Sequence, residues 1–238
     1  MTDFRHGKDT ELWLAAADVS GYFNALDLSA DVDTADTTVF KANWKTALTG
    51  AAGAKLEGKG YYDPAFVTLP DLLTLEPGTV LTSGPAGLAT VGDGARLMSA
   101  LTTVYAESSP VGGAVGFSWS VFCDGEVGFG VVLHPLVAVT GDANGTTHTG
   151  PVGGTTTGAI AHLHVTSVSA GDDITVTLED SANGSDWLAI SGGAFANLAV
   201  AGSERLVISG TIRRYTRAVW NVTGTDVSIV FGVALART

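Results

Sequence analysis

The chain is short of charge, of cysteine and of long apolar runs, and each shortage excludes something. Only 15% of its 238 residues are charged, whereas a freely soluble small domain usually carries roughly 25–35% charge on its surface. Much of the surface is therefore expected to be covered by partners, or else built from Thr, Ser, Gly and Ala. The single cysteine, Cys123, rules out an intramolecular disulfide and fits a reducing compartment. Its setting, Phe117-Ser118-Trp119-Ser120-Val121-Phe122-Cys123, reads as a small buried apolar residue with no base beside it to activate a thiol. No run approaches the ~20 apolar residues of a helical membrane span. The stretch from Met1 to Gly7 has no apolar signal core. Synthesis in a cytoplasm, with no membrane partner, is the expectation.

Bases are also scarce. Twelve Lys and Arg face 24 Asp and Glu, a net charge of −12. Such a field repels phosphate and argues against ordinary nucleic-acid binding. It remains compatible with a surface past which DNA slides without sticking. The acids gather early: Asp18, Asp27, Asp31, Asp33 and Asp36 fall between Lys8 and Lys41 with no base among them. Taken alone, such a run is a solvated strand and turn.

No set of residues has the spacing of a catalytic or cofactor site. Ser20, Ser118 and Ser181 lack the Gly-x-Ser-x-Gly setting of an esterase elbow. The Gly125–Gly130 stretch has no lysine to hold a phosphate. Asp31, Asp33 and Asp36 lack the glycine and terminal glutamate of a calcium loop. His162 and His164 share one face of a strand but come without a third metal ligand, and such a pair more commonly serves packing and hydrogen bonding. Asn144, Asn183 and Asn221 head glycosylation sequons, which matter only in a secretory pathway. The expectation is a protein that is not an enzyme and holds no cofactor or metal.

What is abundant is β structure. Val and Thr recur, Gly punctuates, and helical periodicity is scarce. At this length roughly 70% of the unfolded surface can leave water. Expected strands are 11–17, 22–30, 79–81, 87–91, 97–106, 115–123, 127–133, 159–167, 173–180, 205–212, 215–222 and 227–234. The stretch 45–62 reads as a pair of strands whose turns are relaxed by Gly50, Gly53, Gly58 and Gly60. The runs 115–123 and 127–133, around Asp124-Gly125-Glu126, read as a hairpin. One short helix is expected after Asp63-Pro64, with Pro70 favouring a start at Leu69. Residues 141–157 form a Gly/Thr-rich linker between a domain of residues 1–140 and a C-terminal β-sandwich of residues 158–238. That C-terminal part has no lysine; its bases are Arg205, Arg213, Arg214, Arg217 and Arg237. Arginine is the cation favoured at interfaces. Trp187 and Trp220 are its expected core aromatics.

Two sets of residues resemble a known family. Asp18-Val19-Ser20, the strand through Leu28, Asp36-Thr37-Thr38-Val39-Phe40 and Leu56 to Asp63 are similar to the opening of the tail tube (major tail) proteins of long-tailed bacteriophages. The run from His164 through Arg217 to Phe231 resembles the second β unit of longer members. Trp44-Lys45 departs from the pattern, where a glycine-rich loop belongs. The resemblance implies an all-β fold: a tail-tube-like β-sandwich or barrel followed by a second β-sandwich unit. It implies a structural virion protein, assembled in a host bacterial cytoplasm. Its subunits form rings, either homo-hexamers or trimeric pseudo-hexamers. The rings stack into the hollow tail that meets tape-measure and tail-terminator proteins and passes DNA. On that reading the candidate interface residues are Arg5, Lys8, Asp31, Asp33, Asp36, Lys41, Trp44, Lys45, Arg213, Arg214 and Arg217, with His6 beside Arg5. Asp18, Asp27 and Glu57 are candidates for the lumen. The alternatives are a capsid or baseplate component, or a β-sandwich that binds carbohydrate or a surface through its tryptophans.

Overall fold

The computed structural model describes residues 7–38, 44–63 and 69–238. Its elements are β1 (Glu11–Leu14), β2 (Ala17–Asp18), β3 (Phe23–Asp36), β4 (Ala47–Tyr61), α1 (Leu69–Leu73), β5 (Thr79–Gly84), β6 (Gly94–Ser108), β7 (Gly116–Cys123), β8 (Gly128–Val139), β9 (Ala143–Asn144), β10 (His148–Thr149), β11 (Ala159–Val168), β12 (Asp173–Ser181), β13 (Leu188–Ala194), β14 (Gly202–Ile208), β15 (Tyr215–Thr223) and β16 (Ile229–Arg237). The fold is all-β with one short helix. Its described span is Leu69–Leu73, closed by the Thr74 N–H donating to the Pro70 carbonyl at 3.0 Å. Pro70 has no N–H to give but takes part in the turn as an acceptor. The Pro64 end of the expected helix lies outside the described residues.

The chain divides into two compact units that interleave in sequence. The larger comprises Met1–Gly21, Thr79–Ser99 and Val127–Thr238; the smaller comprises Tyr22–Gly78 and Ala100–Glu126. This differs from a boundary at residues 141–157. That segment carries β9 and β10, both paired with β15 of the larger unit. Further bonds run from Gly145 N–H to the Ala218 carbonyl (2.7 Å) and from Gly150 N–H to the Arg214 carbonyl (2.9 Å). Gly and Thr offer few side-chain anchors, but backbone pairing needs none.

The larger unit is a sandwich. One sheet has the order β14-β11-β16-β8-β6-β5-β1-β2, with β6 contributing its first residues, Gly94–Leu97, opposite β8. The other has the order β10-β15-β12-β13, with β9 also on β15. Ala161, Leu163 and Val165 of β11 and Phe231, Val233 and Leu235 of β16 meet Val176 and Leu178 of β12 and Trp220 of β15 between the sheets. Ile160, Ala234 and Ala236 point the other way, into a second cluster with Trp13, Leu88, Leu97 and Val132. The middle strands are therefore buried on both faces, which is why β11 reads Ala-Ile-Ala-His-Leu-His-Val with no exposed position. Gly87 and Gly92, both with φ +98°, turn the chain where a strand was expected over residues 87–91. β13 was not anticipated, because Ser-Gly-Gly breaks its alternation.

The smaller unit is an antiparallel sheet in the order β3-β4-β7-β6, using Ala100–Ser108 of β6. β4 runs unbroken through Gly53, Gly58 and Gly60, so the expected pair of strands over residues 45–62 is one strand. These glycines make room instead of turns. A Cβ on Gly58 would lie 2.5 Å from the Phe23 ring, and one on Gly60 would lie 2.0 Å from the Tyr22 carbonyl and 2.5 Å from the Phe117 ring. Phe23, Phe117 and Trp119 pack edge-on and tilted there, with ring centroids 5.2 and 5.4 Å from Phe23. The expected hairpin of 115–123 with 127–133 does not form. β7 pairs with β4 and with Ala100–Ser108 of β6, whereas β8 pairs with Gly94–Leu97 of β6 and with β16. The Asp124–Glu126 turn links residues with different partners, and alternation alone does not name a partner.

Candidate assembly surface

One face of the smaller unit's sheet is its core and the other is open. On β4 the even residues Ala54, Leu56, Gly58 and Gly60 are buried, while Lys55, Glu57, Lys59 and Tyr61 are exposed. Strand register fixes their neighbours. Ala25 lies opposite Lys59, Asp27 opposite Glu57 and Ser29 opposite Lys55 on β3. Ser118 and Ser120 lie opposite Lys59 and Glu57 on β7, and Val104 of β6 lies opposite Ser120. The back of the sheet carries Trp119, whose indole N–H donates to the Leu73 carbonyl of α1.

The open face carries Asp27, Asp31 and Glu57 against Lys55 and Lys59, with the exposed Phe122 opposite Lys55. Asp27 and Glu57 sit directly across from one another, an arrangement that alone would repel. Lys55 and Lys59 flank Glu57, and Lys55 forms an ion pair with it. That hydrogen bond, followed by the Lys55 charge, holds the Glu57 carboxyl below the usual carboxylate range. Both partners are about half exposed, so the pair sets local charge and contributes little stability.

Beyond this face the β3–β4 ribbon ends in a threonine clasp. Thr37 N–H donates to the Thr46 carbonyl (2.9 Å), and Thr46 N–H donates to Thr38 Oγ1 (3.0 Å). Asp36 accepts the Thr38 N–H at 2.8 Å, and hydrogen bonds from Thr38 lower its carboxyl's pKa. Asp31 and Asp33 are exposed along β3, with Asp33 at a register shift. Trp44 is 85% exposed at the return of the ribbon, beside exposed Lys45. Arg5, His6 and Lys41 lie outside the described residues.

The remaining candidates belong to the larger unit. Asp18 is exposed on β2, where its carboxylate accepts the Ser20 N–H at 3.0 Å and shapes a turn. Ser20 Oγ in turn accepts the Leu12 N–H at 2.8 Å. Lys8 stands in a short 3-10 turn beside a shallow depression that also takes in Asp9, Glu11, Asp18 and Asp93. Burial first, with Asp18 and Asp93 adding, raises the Glu11 carboxyl. The three arginines come together at the start of β15 but are engaged within the chain. Arg213 donates its N–H to Asp180 Oδ2 at 2.7 Å. The Arg214 guanidinium lies over the Tyr215 ring. Arg217 donates to Glu179 through Nε and Nη2 (2.9 and 2.7 Å), with its guanidinium 4.2 Å from the centre of the Trp187 ring.

The tryptophans do not form a platform. Trp13 and Trp119 are fully buried, Trp220 is buried in the sandwich core, and Trp187 is covered on one face by Arg217. Among the described residues only Trp44 offers an open ring. Lys55, Lys59 and Val104 were not singled out from sequence. Their signal was the alternation Lys55-Leu56-Glu57-Gly58-Lys59, which the glycine disguised as a turn.

No family model matches the chain, and no curated protein matches it. Among solved structures, a chain of the native gene transfer agent virion is similar with a TM-score of 0.41 at 16% identity, covering 53% of this chain and 98% of its own. The SPP1 Dit protein, described as a paradigm of the hub adsorption apparatus in phages infecting Gram-positive hosts, aligns over 96% of this chain and 99% of its own, with TM-score 0.38 and 11% identity. A chain of the phage p2 baseplate in its activated conformation aligns over 96% and 98%, with TM-score 0.32 and 9% identity.

Proposed function

We propose that this chain is a non-enzymatic structural subunit of a phage-type tail. In this reading copies close into a ring through the smaller unit, and its open sheet face lines the lumen. The observation that carries it is the β3-β4-β7-β6 order. Within this unit β3 and β6 are the outer strands, and each pairing across the sheet is antiparallel. Four strands leave β3 and β6 running in opposite directions. The β3 of one copy laid beside the β6 of the next therefore continues the antiparallel alternation. An odd number of strands would break it. Exposed edges are a liability in a monomer, and a head-to-tail ring removes them by closure.

The open face suits a conduit. Asp27, Asp31 and Glu57 share it with Lys55 and Lys59, and serines, Ala25, Val104 and the exposed Phe122 ring fill the rest, so a polyanion meets no basic trap. One such sheet per chain favours six copies over three. On this reading such rings belong to a virion tail, are assembled in a host bacterial cytoplasm and meet tape-measure and tail-terminator proteins. A baseplate ring is the neighbouring reading, since the same closure serves either place in the tail.

Negative-stain microscopy and light scattering of the purified chain test the proposal. Closed rings or stacked tubes are expected. A monomer at every concentration, with the β3 edge accessible to hydrogen exchange, would sink it.

A further inference from the structure

Two buried histidines on β11 are joined by one hydroxyl. Thr82 Oγ1 lies 3.0 Å from His162 Nδ1 and 2.9 Å from His164 Nε2, and all three residues have no solvent exposure. His164 Nδ1 lies 2.8 Å from the carbonyl oxygen of Ala15. A carbonyl only accepts, so His164 Nδ1 carries the proton and its Nε2 is the acceptor. The Thr82 hydroxyl has one proton and gives it to His164 Nε2. Thr82 then accepts from His162 Nδ1–H. The direction of the whole chain follows: His162 to Thr82 to His164 to Ala15. One nitrogen is left over, His162 Nε2, which is buried without a hydrogen-bond partner.

The elements so joined are distant in sequence. Thr82 is on β5, which pairs with β1 at Thr82 opposite Trp13. Ala15 lies just after β1 and also donates its N–H to the Val80 carbonyl. Trp13 packs edge-on to His164 with ring centroids 5.7 Å apart, and its ring fills the space left open at Gly232 of β16. The hydroxyl relay therefore fastens β1 and β5 across to β11.

We propose that the His162–Thr82–His164 relay is an acid-sensitive latch, holding β1 and β5 on β11 while both rings are neutral and letting them go when the site takes up a proton. The free acceptor for that proton is His162 Nε2, where the new N–H would have no acceptor. A proton on His164 Nε2 would displace the Thr82 hydrogen bond. Burial is the largest influence on both rings and opposes charge, while backbone hydrogen bonds between Leu81 and His162 and between Ala15 and His164 act the other way. Arg205 of β14 lies opposite His162 in register and acts against its protonation. The rings themselves are 6.0 Å apart. β16 presents Ala234 and Gly232, β1 presents Trp13, and β5 presents Thr82 together with the Leu81 backbone, whose hydrogen bond favours the charged His162 ring but is outweighed by burial. Among the described residues no carboxylate acts on either ring. Burial lowers both imidazoles, His164 to about 4 and His162 well below its ordinary value.

The sign follows. Unfolded histidine binds its proton near pH 6.5, and these two do so only at lower pH in the fold. The latch is therefore at full strength above about pH 6.5 and weakens as pH falls toward the folded values. If only the opened form takes protons, each histidine raises the opening equilibrium by about 30-fold at pH 5.

Hydrogen exchange of the full chain at pH 7.5 and pH 5, corrected for intrinsic rates, tests this without any substitution. Protection over residues 11–18 and 79–84 is expected to fall at least tenfold more than over β12. Equal loss everywhere, or none, overturns the proposal. So does an NMR titration in which either imidazole protonates near pH 6.5 with its strands still protected. The double variant His162→Gln, His164→Gln separates the latch from general acid lability. Where it folds, its β1 and β5 protection should no longer depend on pH in this range, and retention of the wild-type acid response would refute the latch.

Discussion

The indole N–H of Trp119 donates to the carbonyl of Leu73 at 2.7 Å. The same carbonyl accepts the Thr102 hydroxyl, and Leu75 N–H donates to Thr102 Oγ1 at 3.0 Å. One buried indole thus fixes the end of α1 against β6 and β7. Trp119→Phe keeps most of the apolar bulk but strips a bond from a buried carbonyl, and should cost about 1–3 kcal/mol. Trp119→Ala should cost about 3–5 kcal/mol. Urea unfolding followed by tryptophan-independent circular dichroism checks both.

The glycines of β4 should respond unequally. Gly60→Ala forces a Cβ to within 2.0 Å of the Tyr22 carbonyl, a backbone atom that cannot swing away, and should destabilise by about 1–3 kcal/mol or more. Gly53→Ala meets only Asp31 and Phe122 at 3.6 and 3.8 Å, ordinary contact. It is expected to be neutral or to stabilise by up to about 1 kcal/mol, by stiffening the unfolded chain. Equal melting temperatures for the two variants would contradict the packing.

Arg217→Lys should not rescue Arg217→Ala. The guanidinium serves Glu179 through two nitrogens and also covers Trp187, which an ammonium cannot do together. Both ion-pair side chains are less than a quarter exposed, so each variant should lose about 1–3 kcal/mol. Trp187 emission should shift to the red in both.

The Tyr105 phenol donates to Glu107 at 2.7 Å, and burial, with that carboxylate adding, raises its pKa. A raised folded value favours the fold below the ordinary phenol range near pH 10. That contribution fades only as pH rises through the higher folded value. Ultraviolet titration should show one tyrosine ionising after the rest, and Tyr105→Phe should remove that late step.

Much was legible from local pattern. Period-two alternation and the dearth of helical spacing foretold an all-β chain. The His162-Leu163-His164 spacing put both rings on one face, and Cys123 is buried in an apolar strand as its neighbours implied. The candidate acids Asp27 and Glu57 do share a face, whereas Asp18 sits in the other unit. Its place in the run of acids carried no information about strand partners.

What sequence determined, then, was which residues turn inward and which outward, because neighbouring side chains on a strand alternate by geometry alone. What only the tertiary structure decided was partnership. A glycine that opens a turn and one that admits an aromatic ring look alike in one dimension, so β4 read as two strands. The residues on either side of Asp124–Glu126 look like two arms of a hairpin, yet each pairs elsewhere. The Gly/Thr stretch 141–157 looks like a linker, yet its backbone is stitched to β15. Pairing energy belongs to contacts between segments far apart in the chain, and it settled the two interleaved units, the four-stranded sheet and the Thr82 bridge between His162 and His164.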